Sequence, residues 1–318
     1  MEVRQLHHPI DTQDIYQGSI VLALGFFDGV HKGHQAVLQT AKREASKRGL
    51  PLAAMTFNIS PKFMFQEWHP KELQYLTDLS EKEELMAYYG VDILYVVQLT
   101  SAFAKLAPQL FVDQYLVGLQ AQTVVAGFDY TYGPKDTANM TLLNDYARDR
   151  FRIIEVPKVA MEGHKVGTTQ IREALIEKGD VTFANDQLGY PYFLTGLVIH
   201  GEKRGRELGY PTANLLIDDS HVMPKVGVYV VECLINEELY PGMASIGYNI
   251  TFGDNREKTV EIHLLDYSLD IYGETVKVYW HKRLRGEEKF SSKEALIEQM
   301  QQDEIDTRAF FENYYPYQ

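Results

Sequence analysis

The sequence predicts two domains: a doubly wound, Rossmann-like α/β domain, followed by a small antiparallel β-barrel with a terminal helix. Three observations predict this. In the first half, short apolar runs alternate with helical patterns, as parallel strands covered on both faces require. From Phe193 onward, short runs follow one another with turn residues and no helices between them, which points to a barrel. The length of 318 residues, at roughly 150 per domain, accommodates two.

Each element has its own signal. Ser19 to Leu24 is an apolar, strand-like run ending at Gly25, and Gln35 to Gly49 reads as an amphipathic helix closed by its glycine. Leu52 to Phe57 is the next strand. Ser80 and Glu83 have the spacing of a capping box, which opens a helix through Tyr89 that stops at Gly90. Asp92 to Leu99, Thr123 to Ala126 and Phe151 to Val156 supply further strands, with helical segments over Pro108 to Gly118 and Thr141 to Arg150. A helix over Thr168 to Lys178 precedes the change of texture. Beyond it come the strand candidates Leu194 to Ile199, Gly227 to Ile235, Met243 to Tyr248, Thr259 to Leu265 and Thr275 to Trp280. The last two alternate apolar and polar residues, as half-exposed antiparallel strands do. Ser291 and Glu294 form a second capping-box spacing, for a helix to about Gln302. The boundary falls within Gly179 to Gly189, giving domains of 1–184 and 185–318.

Composition narrows the function. The chain is 45% hydrophobic and 24% charged, an ordinary globular balance, and its net charge of −13 argues against coating nucleic acid or an anionic membrane. A local basic site for a phosphate remains compatible with that balance. The single cysteine, Cys233, cannot form an internal disulfide or a cysteine-based zinc site, and its apolar surroundings make it a buried small hydrophobe. Met1 to Ile10 lacks the apolar core of a signal peptide, and no apolar run approaches the roughly 18 residues of a membrane helix. A cytoplasmic protein is expected.

The densest chemical signal is Gly25-Phe26-Phe27-Asp28-Gly29-Val30-His31-Lys32-Gly33-His34, where the first strand gives way to a helix. Ligands of open parallel sheets bind at the carboxyl ends of strands, and a helix N-terminus suits a phosphate. His31 and His34, one turn apart, would share a face and steady a leaving pyrophosphate, with Gly33 giving a phosphate access to the backbone. The same spacing also fits a structural turn with surface histidines, or two metal ligands. Thr168 and Thr169 stand at a helix start with Arg172 a turn later; they either bind phosphates together or simply cap the helix. Gly127 to Gly133 offers aromatic residues that would stack on a planar ligand or pack in the core.

In the second half, Gly201 to Asn214 begins as a flexible, basic loop with Lys203, Arg204, Gly205, Arg206 and Gly209, suited to a polyphosphate or to solvent. Pro211 then stiffens the approach to Thr212 and Asn214. Their oxygens suit a Mg²⁺ carried with a nucleotide. Glu261 shares a strand face with Thr259 and His263, where it would accept a proton from a substrate hydroxyl or merely face water. No Gly-x-x-x-x-Gly-Lys-Ser/Thr run occurs, so a kinase here is not a P-loop enzyme.

Taken together, these residues resemble the bacterial bifunctional riboflavin kinase/FAD synthetase family over nearly the whole chain. Gly25 to His34 is similar to the His-x-Gly-His segment of its FMN adenylyltransferase module, a nucleotidyltransferase. Gly127 to Gly133 resembles its Gly-x-Asp-x-x-Phe/Tyr-Gly stretch. Pro211-Thr212-Ala213-Asn214 matches the core of its kinase signature, and Val260 to Asp266 resembles the strand carrying the kinase base. Three segments depart from the pattern: Gly167-Thr168-Thr169 stands for Ser-Ser-Thr, Ile59-Ser60-Pro61 for Pro-His-Pro, and Asn249-Ile250-Thr251-Phe252 for Arg-Pro-Thr-Phe.

The resemblance implies two Mg-ATP reactions, riboflavin to FMN in the barrel and FMN to FAD, with release of pyrophosphate, in the α/β domain. It implies Glu261 as base, Thr212 and Asn214 at the metal, and Gly205, Arg206 and Gly209 at the ATP of the kinase. In the other domain it implies His31, His34 and Arg172 as catalytic, Gly25, Phe27, Asp28, Gly33, Thr168 and Thr169 at ATP, and Asp129 and Tyr132 at the flavin. Mg²⁺ would come with ATP, and FMN and FAD would be substrate and product rather than bound groups. Riboflavin, FMN and ATP are the expected partners, with no nucleic acid and no membrane; the sequence sets no oligomeric state. Two rival readings are a kinase with a degenerate N-terminal nucleotide- or flavin-binding domain, and a non-catalytic flavin-binding regulator. A carrier has no need of a base beside a magnesium-nucleotide loop, so Thr212, Asn214 and Glu261 argue against the second rival.

Overall fold

A computed structural model of the chain describes residues 1–65, 74–161, 164–201, 209–248 and 258–314. Its contacts divide it into two compact units, 1–168 and 169–318.

The first unit is built on six parallel strands: β1 (Glu2–Leu6), β2 (Ile20–Leu24), β3 (Leu52–Phe57), β4 (Ile93–Val97), β5 (Ala121–Gly127) and β6 (Arg152–Val156), in the order β1-β4-β3-β2-β5-β6. Between them run α1 (Lys32–Arg48), α2 (Lys62–Phe65), α3 (Leu79–Tyr88), α4 (Ser101–Ala104), α5 (Pro108–Phe111) and α6 (Met140–Ala147). A wider-turned segment, Val112–Val117, continues α5 and ends where the Gly118 amide donates to the Asp113 carbonyl, 2.9 Å away. Ile20, Leu22 and Leu24 pack with Met55, Tyr95 and Tyr115 on one face of the sheet; Val21 and Ala23 pack with Leu38, Ala41 and Leu94 on the other. Both faces are thus covered, and the doubly wound expectation holds. A short hairpin of β7 (Ala160–Met161) and β8 (His164–Lys165) ends the unit.

One local expectation is corrected, and one strand had no signal. The capping box of α3 uses Asp78 and Glu81, not Ser80 and Glu83: Asp78 Oδ1 accepts the Glu81 amide at 2.7 Å and the Glu81 carboxylate accepts the Asp78 amide at 3.1 Å. A carboxylate at a helix N-terminus also gains from the helix dipole, which a serine does not. The edge strand β1 carries no apolar run because Glu2 and Arg4 face solvent and pair with each other at 2.8 Å.

In the second unit, α7 (Thr168–Glu173) spans the division and continues as a wide turn over Ala174–Lys178, followed by α8 (Val181–Leu188). Six antiparallel strands then close a barrel: β9 (Tyr192–Ile199), β10 (Ala213–Ile217), β11 (Gly227–Ile235), β12 (Glu238–Tyr248), β13 (Lys258–Leu264) and β14 (Thr275–Arg285), ordered β10-β13-β12-β11-β14-β9. Sequence reading found five of them; β10 was hidden behind the turn residues that precede it. The 184/185 division falls inside α8, whose Asn185 donates to the Trp280 carbonyl at 2.8 Å and accepts the Tyr192 amide at 2.7 Å. This helix packs with the barrel.

The terminal helix α9 (Lys293–Tyr314) starts one residue later than expected, with Ser292 Oγ accepting the Ala295 amide at 3.2 Å, and runs well past Gln302. Past Gln302 the helix is tied down by Asp303, buried against Arg285 at 2.7 Å, and by Arg308, which grips Asp266 with two bonds of 2.7 and 2.9 Å. Among the described residues no helix is long and apolar enough to cross a membrane.

Cys233 lies in β11 with its side chain inside the barrel, and burial, then the neighbouring Glu232 charge, pushes its thiol far above the usual range. It is therefore expected to resist a thiol-titrating reagent in the native protein and to react fully once denaturant unfolds the barrel. Prompt reaction of the folded protein would contradict this packing.

Candidate active sites

In the first unit β2 lies between β3 and β5, with Leu24 beside both Met55 and Ala126. The chain leaves β2 in one direction across the sheet and later returns on its other side, so a crevice opens at the carboxyl ends of these strands. This topology brings the Gly25–His34 segment after β2 and the Gly127–Gly133 segment after β5 to one edge.

The turn after β2 is strained. Phe27, Gly29 and Val30 take φ values of 58°, 70° and 33°, a left-handed region that a β-branched residue rarely visits. Many bonds over-determine it. Asp28 Oδ1 accepts the amides of Leu76 (2.8 Å) and Thr77 (3.3 Å), Thr77 Oγ1 accepts the Gly29 amide (3.0 Å), and Gln35 Nε2 donates to the Val30 carbonyl (2.9 Å). The Thr56 hydroxyl donates to the Phe26 carbonyl at 2.8 Å. Gly25 is dictated by packing, since a Cβ there would sit 2.8 Å from the Phe27 ring.

His31 is the N-cap of α1: its Nδ1 accepts the His34 amide at 3.3 Å, which leaves the ring proton on Nε2. The two imidazoles stack, centroids 3.7 Å apart and planes within 12°. A Cβ on Gly33 would come within 3.1 Å of the His31 ring, so glycine makes room here for an imidazole. His34 Nδ1 is buried and has no hydrogen-bond partner among the described residues. Burial first, then the charges of His31 and Lys82, hold the His34 pKa well below the ordinary histidine value. In the free protein this ring is neutral at pH 7. A polyphosphate at the start of α1 would meet backbone amides, an Nε2–H donor and a ring ready to take a proton.

Sequence reading missed Lys82 and Thr56 at this edge. Lys82 sits in Glu81-Lys82-Glu83-Glu84, which looks like a solvated helix face, and no local signal distinguishes it. Of the proposed flavin residues, Asp129 is exposed, whereas Tyr132 lays its ring on Phe111 (5.4 Å, 19°) with its hydroxyl buried. Phe128, 40% exposed, is the more open ring of that loop. Thr168 closes the first unit, and Thr169 (exposed) and Arg172 (half-buried) belong to the second.

In the barrel the sequence-derived residues converge. Asn214 of β10, Glu261 of β13 and Ser245 of β12 form one cross-strand row. Their side chains point outward, because the flanking Leu215, Val260 and Ile262 fill the interior. Thr212 Oγ1 donates to Glu261 Oε2 at 3.3 Å. The approach is fixed by His263, two residues along on the same face, whose Nδ1–H donates to the Pro211 carbonyl at 2.8 Å while Tyr210 packs edge-on against its ring at 5.1 Å. His263 is therefore part of the site's scaffold, legible only from its spacing to Glu261. Gly201 belongs to it too, for a Cβ there would collide with the Asn214 amide at 2.0 Å. Gly209 is exposed in a left-handed turn (φ 84°), and Gly205, Arg206 and residues 249–252 lie outside the described residues.

Two cavities reach the neighbours of this row, one at His263 and one at Thr212. One of about 530 Å³ is lined by Tyr210, His263, Asp266, Tyr267, Glu304 and Arg308. The other, about 340 Å³, is lined by Val198, Thr212, Ile262, Leu269, Ile271 and Tyr272. Leu264, Tyr267 and Ser268 contribute to both.

Comparison with known proteins finds relatives of both units. The FAD synthetase family profile matches residues 13–170 and the riboflavin kinase profile residues 188–311. The bifunctional riboflavin kinase/FMN adenylyltransferase of Listeria monocytogenes is 48% identical over 98% of each chain. That of Bacillus subtilis is 40% identical, covering 98% of this chain and 99% of its own. A crystal structure described as a macrolide-efflux protein from Streptococcus pneumoniae superposes with a TM-score of 0.89 at 40% identity, covering 97% of this chain and 99% of that one. Two profiles in sequence, and full-length relatives bearing both activities in their names, place this chain in the bifunctional riboflavin kinase/FMN adenylyltransferase family.

Proposed function

We propose that the protein phosphorylates riboflavin to FMN in its barrel and joins FMN to AMP in its parallel-sheet unit. The observation that carries the reading is the convergence of Thr212, Asn214 and Glu261 on one outward row of the barrel. Such a row suits phosphoryl transfer, and an efflux function gives it no role. Glu261 takes the proton of the riboflavin 5′-hydroxyl as that oxygen attacks the γ-phosphorus of ATP and ADP leaves. Thr212 opens into the smaller cavity, which is assigned to the nucleotide, and the larger one is assigned to the flavin. In the other unit a phosphate oxygen of FMN attacks the α-phosphorus of a second ATP. His31 and His34 stabilise the departing pyrophosphate, and Thr168, Thr169 and Arg172 are assigned to the same reaction. The kinase part is taken to begin with α8 rather than within it.

The donor set beside Glu261 also fits Mg²⁺. Thr212 Oγ1 lies 3.3 Å from a Glu261 carboxylate oxygen, and the Asn214 amide stands opposite, so all are hard oxygen donors. Thr212 and Asn214 would hold the ion, which supplies charge neutralisation at the nucleotide phosphates. Consumption of ATP at both sites assigns the protein to the cytoplasm.

Incubation with riboflavin and Mg-ATP is expected to yield FMN and then FAD, separated by chromatography, and excess chelator is expected to stop both. FMN alone would leave only the kinase, and neither product would leave a non-catalytic flavin binder. Full turnover in chelator would refute the magnesium assignment.

A further inference from the structure

Lys82 has no part in either reaction as assigned above, yet it is only 3% exposed, at the carboxyl edge of the parallel sheet. It projects from the buried side of α3, whose start is fixed by the Asp78–Glu81 capping box. Its Nζ lies 3.5 Å from Thr56 Oγ1 and 4.1 Å from the centre of the Phe26 ring. Because the Thr56 hydroxyl already donates to the Phe26 carbonyl, its oxygen is available to accept from the ammonium. Taking an ammonium out of water is unfavourable, and an apolar side chain would fill the same place without that cost. Exposed lysines normally snorkel to water. This one is folded inward, onto the residues that begin the strained turn.

We propose that Lys82 is a positioning residue for adenylyl transfer, its buried ammonium clamping Phe26 against Thr56 so that His31 and His34 are presented to the polyphosphate. The inference rests on the adenylyltransferase reading of this unit. Three further observations bear on it. Burial pushes the Lys82 ammonium down to about 8, against the opposing pull of Asp28 and Asp78. Its charge also contributes, after burial and His31, to holding His34 neutral. The turn it holds carries three left-handed residues within four positions, Phe27, Gly29 and Val30, which relax unless they are held.

The test uses the full-length chain. Lys82→Met preserves length and apolar packing while removing the charge. FMN formation from riboflavin is expected to stay within twofold of the parent, while kcat for FMN to FAD falls about tenfold or more, the scale of cost from a slightly misplaced reacting group. In histidine-labelled protein, the NMR titration of His34, assigned by its loss in His34→Ala, is expected to move upward toward an ordinary histidine. Lys82→Arg should recover part of the rate by restoring the charge, which a packing role would not require. Thr56→Val should lower FAD formation in the same direction. Lys82→Met with FAD formation within twofold and an unmoved His34 titration would overturn the proposal. So would loss of both reactions with a lowered unfolding midpoint, the mark of a merely structural lysine. If the parent makes no FAD while Lys82→Met still moves His34, the adenylyltransferase reading fails and the electrostatic coupling stands.

Discussion

Glu261→Gln is expected to slow FMN formation by about 10²–10⁴-fold, the usual cost of losing a general base. Glutamine keeps the size of the side chain and can still accept the Thr212 hydroxyl bond, now 3.3 Å, so the row Asn214–Glu261–Ser245 should survive the change. What it cannot do is take a proton from the riboflavin hydroxyl. Adenylylation of supplied FMN should continue at the parental rate, because the FAD synthetase match ends at residue 170. Separate assays with riboflavin and with FMN, on protein whose unfolding midpoint matches the parent, decide the matter. Kinase turnover within a few-fold of the parent would return Glu261 to an ordinary solvent-facing strand residue.

Replacing both histidines is expected to nearly abolish FAD formation while leaving FMN formation intact. Loss of one preorganised electrostatic contact costs about 10²–10³-fold in kcat, and two are removed. The structure adds a complication that the sequence does not show. His31 caps α1, and replacing a good N-cap by alanine costs about 1 kcal/mol. His31→Asn is therefore the better single variant, since asparagine caps well and carries no imidazole. It should retain the unfolding midpoint and still lose FAD formation. A pH signature accompanies this. His34 is neutral in the free protein because its pKa is lowered. A bound polyphosphate raises that pKa, so between the two values ATP binding takes up a proton and tightens as pH falls. Calorimetry in two buffers of different ionisation enthalpy measures the uptake, which should vanish in His34→Ala. Unchanged FAD formation in the double variant would refute the assignment of the pyrophosphate contact.

Much of the fold was legible because hydrophobic pattern reports burial directly. β2, β3 and the parallel class follow from apolar runs buried on both sides, and the barrel from alternation in β13 and β14. What escaped was set by partners distant in sequence. β1 is recognised through its pairing with β4, α9 continues because Arg285 neutralises Asp303, and α8 belongs with the barrel through Asn185. At the sites, residues with distinctive chemistry at short spacing were found, namely His31, His34, Thr212, Asn214 and Glu261. Lys82 was not, because an inward lysine and a solvated one have the same sequence, and only tertiary packing separates them.

The two sites differ in how tightly they depend on the exact count of residues. The kinase row exists because β10, β12 and β13 hold one cross-strand alignment inside a closed barrel. In a strand, neighbouring side chains point to opposite faces, so deleting one residue ahead of Glu261 within β13 sends its carboxylate into the apolar interior and brings Val260 or Ile262 out. With no free edge, the neighbouring strands cannot slide to compensate. The histidine pair sits instead on a turn and the first turn of a helix, held by its cap and by the bonds of Asp28 and Gly29 to Leu76 and Thr77 rather than by strand register. Changes of length are thus tolerated only in those connections of the parallel-sheet unit that do not bond to this turn and are forbidden within the barrel strands, which makes the kinase site a sensitive reporter of strand alignment.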